Sequence, residues 1–325
     1  MDIYIDKANL ISFIKSKSHS LFDDCNNLLK RQLNVYFNFP KTEIKESPLI
    51  STWITTLSQG MGEHNEIKFD CKEPARPLRS NSSNTFCSRK LSSVYLLEDV
   101  EAAKFKNSGC VLVGEVGEEI TVFNKLFFNQ NDYNFEKKWR IDGVGFRTWN
   151  DLESYSFPLS DVLIIDPFIL KNKDTDTDTI DINLIEYLKV ICKISFTKAN
   201  IIVVTNPANS DYEYEEIKHK IIEALTVVLG KKPKFTLILT RKEHDRCILT
   251  NYKRIYSGDT FNFWNNRRQK ITKGREISYS SLAKRENHNL AIELINDLQE
   301  TVNFLKTKNP EYIIGDKVSN FLNFK

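Results

Sequence analysis

Residues 234–264 read KFTLILTRKEHDRCILTNYKRIYSGDTFNFW and carry the best fold signature of the sequence. Two apolar runs within this stretch predict buried strands, Lys234–Thr240 and Cys247–Asn251. Between the runs stand six consecutive charged or polar residues, and a Ser-Gly-Asp turn with aromatic neighbours closes the segment. A cluster of polar residues between two core strands is more typical of a functional site than of a simple loop. The candidate functional residues here are His244, Asp245 and Arg246.

The composition of the chain is that of a globular protein. With 325 residues it has room for two domains, and 41% apolar and 27% charged content is ordinary for this class. No run reaches the roughly 18 apolar residues of a membrane span, and the first residues lack a signal-peptide pattern. We therefore expect a cytoplasmic protein without a membrane span. The six cysteines are scattered without a C-x-x-C pair, which argues against a zinc site and a disulfide framework.

The positive charge of the chain is concentrated in one region. The formal net charge is only +3, yet residues 231–275 hold 13 lysines and arginines against 3 acids, a surplus of 10 positive charges. Such a field attracts phosphate, whether in a nucleic acid, a nucleotide or a lipid headgroup. A solvated basic face without a ligand is the alternative interpretation.

Two predicted strands in the first half end on acids. Ile3–Ile5 runs into Asp6, and Val94–Leu97 runs into Asp99. A helix is expected after each strand, which is the pattern of a parallel sheet with crossover helices. Because the ligand sites of such sheets lie at the carboxyl ends of the strands, both acids are candidates for a Mg²⁺ cradle. Helix N-caps are the alternative interpretation of the same two acids.

The remaining pattern predicts an α/β fold in two domains. The first helix is expected over residues 9–30 with a break near 16–20, and residues 118–150 read as strand-like pieces rich in aromatics. Strands and helices then alternate up to a long amphipathic helix, Lys284–Lys306. Each domain should be a mainly parallel sheet flanked by helices. The expected boundaries are 1–125 for the first domain, 126–156 for an interdomain segment and 157–325 for the second domain.

Three features of the second half occur in a recognisable order. They are Asp166-Pro-Phe-Ile169 after a predicted strand, His244-Asp-Arg246 between two predicted strands, and Ile255–Phe263 with its glycine turn. In this order they resemble the phospholipase D-like domain family found C-terminal to MIT domains. Enzymes of the phospholipase D type use a histidine nucleophile followed two residues later by lysine, and they assemble two copies of the motif. This chain has one copy, with arginine in the place of the lysine.

The phospholipase D-like resemblance therefore implies phosphate binding more strongly than it implies catalysis. Arginine still binds phosphate in a bidentate manner. A homodimer formed through this domain would supply a second copy of the motif. The alternative to phosphate binding is that His244, Asp245 and Arg246 form hydrogen bonds and ion pairs that only fix the two strands. The residues assigned to phosphate are His244, Arg246, Lys253 and Arg254.

Two segments of the first half carry a second resemblance. Residues 3–10, IYIDKANL, give a strand, an acid and a polar residue ahead of a helix. Val94–Lys104, followed by Gly109, gives a strand and an acid-led helix. Both segments resemble the acidic motifs of PIN-type nuclease domains, which hydrolyse phosphodiester bonds of RNA with the help of bound metal.

The PIN-type resemblance implies a set of acidic residues with assigned roles. The catalytic set is Asp6, Glu43, Asp99 and Glu101, with Glu46 as the alternative to Glu43. Of these, Asp6, Glu43 and Asp99 would hold Mg²⁺ or Mn²⁺.

Three functions follow as hypotheses. The first is a metal-dependent ribonuclease whose phospholipase D-like domain binds phosphate or senses a partner, in a bacterial toxin or phage-defence setting; RNA is favoured over DNA as the partner. The second is a non-enzymatic regulatory or adaptor protein that binds a nucleotide, a nucleic acid or a protein through the region of Arg246. The third is a dimeric phosphodiesterase acting through His244.

Overall fold

The computed structural model forms two compact units. It describes all residues except 32, 60–65, 71–92, 106–111, 130–131, 134–135, 143–145, 158, 172–178, 194–198 and 244. The first unit comprises Met1–Phe135 and Leu282–His288, and the second comprises Glu136–Ser281 and Asn289–Lys325. In the described part of the chain, no helix combines the length and the apolar character needed to cross a membrane.

The first unit is built on a five-stranded parallel sheet, as predicted. Its strands are β1 (Asp2–Ile5), β2 (Asn34–Phe37), β3 (Ile67–Lys68), β4 (Ser93–Leu96) and β5 (Leu112–Gly114). Its helices are α1 (Lys7–Lys15), α2 (Phe22–Arg31), α3 (Thr42–Glu46), α4 (Pro48–Gln59), α5 (Asp99–Phe105) and α6 (Glu119–Phe127). A short antiparallel pair follows, β6 (Phe128–Asn129) with β7 (Asp132–Tyr133).

The predicted break in the first helix is confirmed. The prediction of strand-like pieces over residues 118–150 is confirmed at Phe128–Asn129, Asp132–Tyr133 and Glu136–Arg140 but is wrong for residues 119–127. Helix α1 ends at Lys15 and α2 begins at Phe22. Residues 119–127, expected to be strand-like because of their β-branched and aromatic side chains, form α6 instead. Ile120 and Phe123, three residues apart, are both buried, so packing of this helical face overrides the local propensity.

The strand order of the first sheet creates a switch point at its centre. The order is β3-β2-β1-β4-β5, so the chain builds outward on one side of β1 and then crosses to the other side. In doubly wound sheets of this kind, ligands bind in the crevice outside the carboxyl ends of the two strands at the reversal. These strands are β1 and β4, where Ile5 pairs with Leu96. Asp6 follows the one and Asp99 follows the other.

The second unit contains an eight-stranded sheet in the order β15-β11-β10-β9-β12-β13-β14-β8. Its strands are β8 (Glu136–Arg140), β9 (Asp161–Ile165), β10 (Asn200–Thr205), β11 (Lys234–Leu239), β12 (Cys247–Thr250), β13 (Lys253–Ser257), β14 (Glu276–Ser281) and β15 (Ile313–Gly315). Its α-helices are α7 (Glu186–Cys192) and α8 (Tyr214–Leu229), and α9 runs over Arg285–Lys308. Shorter turns of 3-10 or π helix span Trp149–Tyr155, Asp181–Ile185, Pro207–Asn209 and Pro310–Tyr312.

The second sheet is mixed, which corrects the prediction of a mainly parallel one. Strands β9, β10 and β11 are parallel. Strand β12 lies antiparallel to β9, and β13, β14 and β8 continue antiparallel from it. The reason is connection length: only residues 240–246 separate β11 from β12. A parallel crossover needs about a dozen residues or more. The two-residue link to β13 likewise permits only a hairpin.

Several aromatic residues of segment 126–156 belong to the core of the second unit. Strand β8 lies in this segment and pairs with β14 at the edge of the eight-stranded sheet. Phe146 and Trp149 are buried, and their ring centroids lie 5.6 Å apart in an edge-on arrangement. Trp149 also stacks on Phe263, with ring centroids 5.2 Å apart. The segment therefore contributes both a strand and core packing to this unit.

Two candidate sites at the carboxyl edges of the sheets

Asp6 lies at the switch point of the first sheet with only 2% of its surface exposed. It occupies the N-cap position of α1, yet its side chain makes no capping hydrogen bond. Its carboxylate instead accepts hydrogen bonds from the Asn38 side-chain amide, beyond β2, and from the Glu98 N–H at 2.9 Å, beyond β4. The carboxylate therefore links the ends of the two strands that flank β1, which the N-cap interpretation does not explain.

Asp99 and Glu119 are connected through the loop after β5. The exposed Asp99 accepts a hydrogen bond from the Val116 N–H at 3.1 Å. Glu119 is only 1% exposed, and its carboxylate accepts from the Gly117 N–H at 2.9 Å and from the Asn9 side-chain amide at 3.0 Å. Sequence reasoning missed Glu119. The rule that identified the other two acids, a carboxylate soon after a parallel strand, also applies to it.

The other two predicted catalytic acids lie elsewhere. Glu43 forms an ion pair with Lys7 at 2.5 Å, with about a third of each side chain exposed. Glu101 is partly buried on α5, where its N–H donates to the Glu98 carbonyl at 2.9 Å. Among the described residues, no three His, Cys, Asp or Glu side chains form a group that could hold a metal ion. The structure therefore does not gather Asp6, Glu43 and Asp99 into one three-acid cluster.

The donor chemistry near Asn9 nevertheless suits a hard cation. Asn9 is fully buried, and its Oδ1 has no hydrogen-bond partner within the described ranges, although its amide nitrogen donates to Glu119. A buried acceptor without a partner costs free energy unless something satisfies it. Carboxylate and amide oxygens are the ligands that Mg²⁺ prefers, and Mn²⁺ accepts the same ligands. Asn9 and Glu119 are therefore the residues of this edge whose observed state fits an oxygen-coordinated ion.

Asp166 is a buried acid at the carboxyl edge of the second sheet. It follows β9 and is fully buried. Its carboxylate accepts hydrogen bonds from the Phe168 N–H at 2.8 Å, the Phe261 N–H at 2.7 Å and the Thr260 hydroxyl at 2.8 Å. Burial raises the pKa of Asp166 from 3.8 to about 6, while these hydrogen bonds and the positive charge of Arg246 act in the opposite direction. Asp166 thus fixes the turn after β13 against the end of β9.

Arg246 stands at the same edge with an unsatisfied donor. Its guanidinium lies over the Phe168 ring, 5.8 Å from the centroid, and its buried Nε–H has no hydrogen-bond acceptor among the described residues. The buried Thr205 hydroxyl, at the end of β10, likewise has no partner in the part of the chain that the structure describes. Unpaired buried donors of this kind are what an anionic ligand would satisfy. Asp245 is exposed, and His244 lies outside the described residues.

The other two predicted phosphate-binding cations have protein partners. Lys253 is only 1% exposed and donates its ammonium to the Tyr155 carbonyl at 2.7 Å. Burial lowers the pKa of Lys253 from 10.5 to about 7. The Nε–H of Arg254 contacts the Cys247 sulfur at 3.2 Å. The ammonium of Lys253 is therefore inside the unit, where a surface phosphate does not reach it.

The buried lysine makes a prediction about stability and pH. Because the pKa of Lys253 is lower in the folded state, folding releases a proton between about pH 7 and pH 10.5, and the wild-type free energy of unfolding should rise with pH across this window. We expect Lys253→Met to raise that free energy by roughly 2 kcal/mol at pH 7, net of the lost hydrogen bond. Urea unfolding at pH 7 and pH 9.5 checks this. Parallel pH dependence in both proteins would contradict it.

The sequence matches no protein-family model, and no curated protein is similar enough to count as a relative. The case for a function therefore rests on the residues at the two sheet edges. They are an acid-lined edge around Asp6 in the first unit and an edge with the unpaired arginine donor in the second.

Proposed function

We propose that the first unit is a metal-dependent ribonuclease whose reaction takes place at the carboxyl edge of its sheet. One observation carries this proposal: Asp6 is buried at the switch point, and its carboxylate reaches across to the end of β4 instead of capping its own helix. Strand order and the position of the acid are those expected of a ligand-binding doubly wound sheet. The PIN-type resemblance of residues 3–10 and Val94–Lys104 supplies the reaction class.

Mg²⁺ or Mn²⁺ is the cofactor that this edge would take. Asp6, Glu119 and Asn9 are the residues that would hold it, and the exposed Asp99 follows the neighbouring strand β4. The chemistry supplied by such an ion is neutralisation of the charge that develops on the phosphodiester and activation of water. The amides that donate to Asp6 fix its orientation, and Glu119 fixes that of Asn9. Preorganised oxygen donors of this kind lower the cost of binding a cation.

The test is a cleavage assay with RNA and DNA of one sequence. Wild type should cut the RNA in Mn²⁺ and not in EDTA. We expect Glu119→Gln to lower the initial rate by about 10- to 100-fold, because it removes a carboxylate and disturbs the orientation of Asn9. Asp24→Asn, an exposed acid on α2, is the matched control and should cut like the wild type. Cleavage in EDTA, or an unchanged rate for Glu119→Gln, would count against the proposal.

The second unit is proposed to bind phosphate at Arg246 and to serve the nuclease as a sensing module in a cytoplasmic toxin or defence system. The unpaired Nε–H of Arg246 also favours the second candidate function, an adaptor that binds a nucleotide without chemistry. Thermal unfolding with and without nucleoside monophosphates separates the two. A nucleotide-dependent rise in melting temperature that Arg246→Gln removes, in a protein that cuts no RNA, would favour the adaptor.

A further inference from the structure

The segment between β13 and β14 is a structured hairpin. Trp264 and Lys270 form an antiparallel bridge. The turn is closed by Asn265, whose N–H donates to the Gln269 carbonyl at 2.9 Å and whose Oδ1 accepts from the Gln269 N–H at 2.9 Å. Arg268 takes the left-handed conformation that such a tight turn requires, with φ of 61°. We refer to residues 258–275 as the basic hairpin.

The basic hairpin is anchored to the unit through its outgoing strand, and hydrogen bonds to Asp259 connect its two strands to each other. The buried Asn183 accepts hydrogen bonds from the N–H groups of Phe263 at 2.9 Å and Trp264 at 3.2 Å. The carboxylate of Asp259, just after β13, accepts a hydrogen bond from the hydroxyl of Thr272, on the returning strand, at 2.7 Å. It also accepts from the two backbone N–H groups that follow, at 2.9 and 3.2 Å. The tip therefore projects from a fixed base.

The surface of the basic hairpin carries an excess of positive charge. Residues 260–275 contain five arginines and lysines and no Asp or Glu. All five side chains are exposed. Arg268 pairs with Glu186 at 2.8 Å. Within the described residues, no acid pairs with the other four, Arg267, Lys270, Lys273 and Arg275.

We propose that the basic hairpin is a docking surface for the phosphate backbone of RNA. Four cations on one anchored hairpin can contact several phosphates, and their fixed base reduces the entropy lost on binding. Arginine forks match phosphate oxygens, and the exposed amides of Asn266 and Gln269 at the tip can donate to phosphate or sugar. The choice of RNA as the polymer rests on the proposed function, whereas the docking itself requires no cleavage.

An anionic membrane fits this surface less well. Membrane-binding elements insert an apolar face beside their cations. The basic hairpin exposes only one large apolar side chain, that of Ile271, which is 41% exposed. The aromatic residues at its base are fully buried in the core. The surface is therefore suited to a soluble polyanion.

The test is fluorescence anisotropy of the full chain with a labelled single-stranded RNA in EDTA, over a series of salt concentrations. The hairpin variant changes four residues together, Arg267→Gln, Lys270→Gln, Lys273→Gln and Arg275→Gln. We expect it to lose at least about tenfold in affinity and to lower the slope of log Kd against log salt by about 3, because each phosphate contact on a single strand contributes about 0.7.

A matched control removes four charges from elsewhere on the second unit. It carries Lys189→Gln, Lys231→Gln, Lys232→Gln and Lys308→Gln, all at exposed positions. Equal loss in both variants would overturn the proposal, as would wild-type binding to vesicles of anionic lipid but not to RNA. Because the assay contains no metal and records binding without cleavage, its result does not depend on whether the first unit cuts RNA. The anisotropy result therefore tests the basic hairpin even if the first unit is shown not to be a nuclease.

Discussion

Asp166→Ala is expected to lower the free energy of unfolding by about 3 kcal/mol at pH 7. The change leaves the partly buried N–H of Phe168 and the buried N–H of Phe261 without an acceptor, and a buried group in this state costs about 1–3 kcal/mol. It also removes the negative charge near Arg246. Relief of the buried carboxylate offsets part of this loss. Urea unfolding of the full chain measures the difference.

Asp166 should also make the free energy of unfolding depend on pH in the acid range. Because burial raises the folded-state pKa from 3.8 to about 6, the contribution of Asp166 to stability is greatest below about pH 4 and is lost as the pH rises through 6. This contribution amounts to roughly 3 kcal/mol. Asp166→Asn should lack it, and Asp297→Ala, an exposed acid on α9, should retain it. Identical profiles for wild type and Asp166→Asn between pH 4 and 6.5 would refute this account.

Asp6→Asn is expected to lower Mn²⁺-dependent RNA cleavage by at least about 100-fold. The amide is nearly the same size as the carboxylate but lacks the charge that a divalent ion requires. The fold should survive, because the Asn38 amide can rotate to present its oxygen to the new amide, while the new oxygen still accepts from the Glu98 N–H. Initial rates on a labelled RNA at saturating Mn²⁺ provide the measurement.

The cleavage rate of Asp6→Asn is compared with its thermal stability and with the rate of a control variant. Its thermal unfolding should lie within a few degrees of the wild type, which would separate lost chemistry from lost structure. The control Asp24→Asn should cut at the wild-type rate. If Asp6→Asn cleaves RNA as fast as the wild type, the first sheet does not carry the reaction. If only substitution of His244 removes cleavage, the dimeric phosphodiesterase becomes the better hypothesis.

Local sequence pattern was sufficient for part of the fold. The apolar run into Asp6 predicted β1 and its position ahead of a helix, and the polar interval at residues 16–20 predicted the break between α1 and α2. Both signals are local: burial gives the continuous apolar run, and loss of periodicity marks the break. The α/β class and the parallel first sheet followed from these repeated units.

Features set by long-range pairing were harder to predict. The antiparallel position of β12 depends on its partner β9, some eighty residues earlier in the chain. Polar strands such as β14 and β8 lack the apolar signal of a buried strand. Lys253 was predicted to bind phosphate, yet it lies two residues from the buried Ile255 and therefore faces the same core. Alternation outweighs residue type at that position.

Calorimetric titration of Mn²⁺ into the full chain, without RNA, measures metal binding by itself, and a contaminating nuclease cannot produce its signal. We propose that the edge around Asp6 and Glu119 binds the divalent ion that ribonuclease activity requires. Wild type and Asp24→Asn should both give one saturable binding event, which Asp6→Asn and Glu119→Gln weaken by at least about 10-fold. Equal isotherms for all four proteins, or no binding by the wild type, would contradict the account.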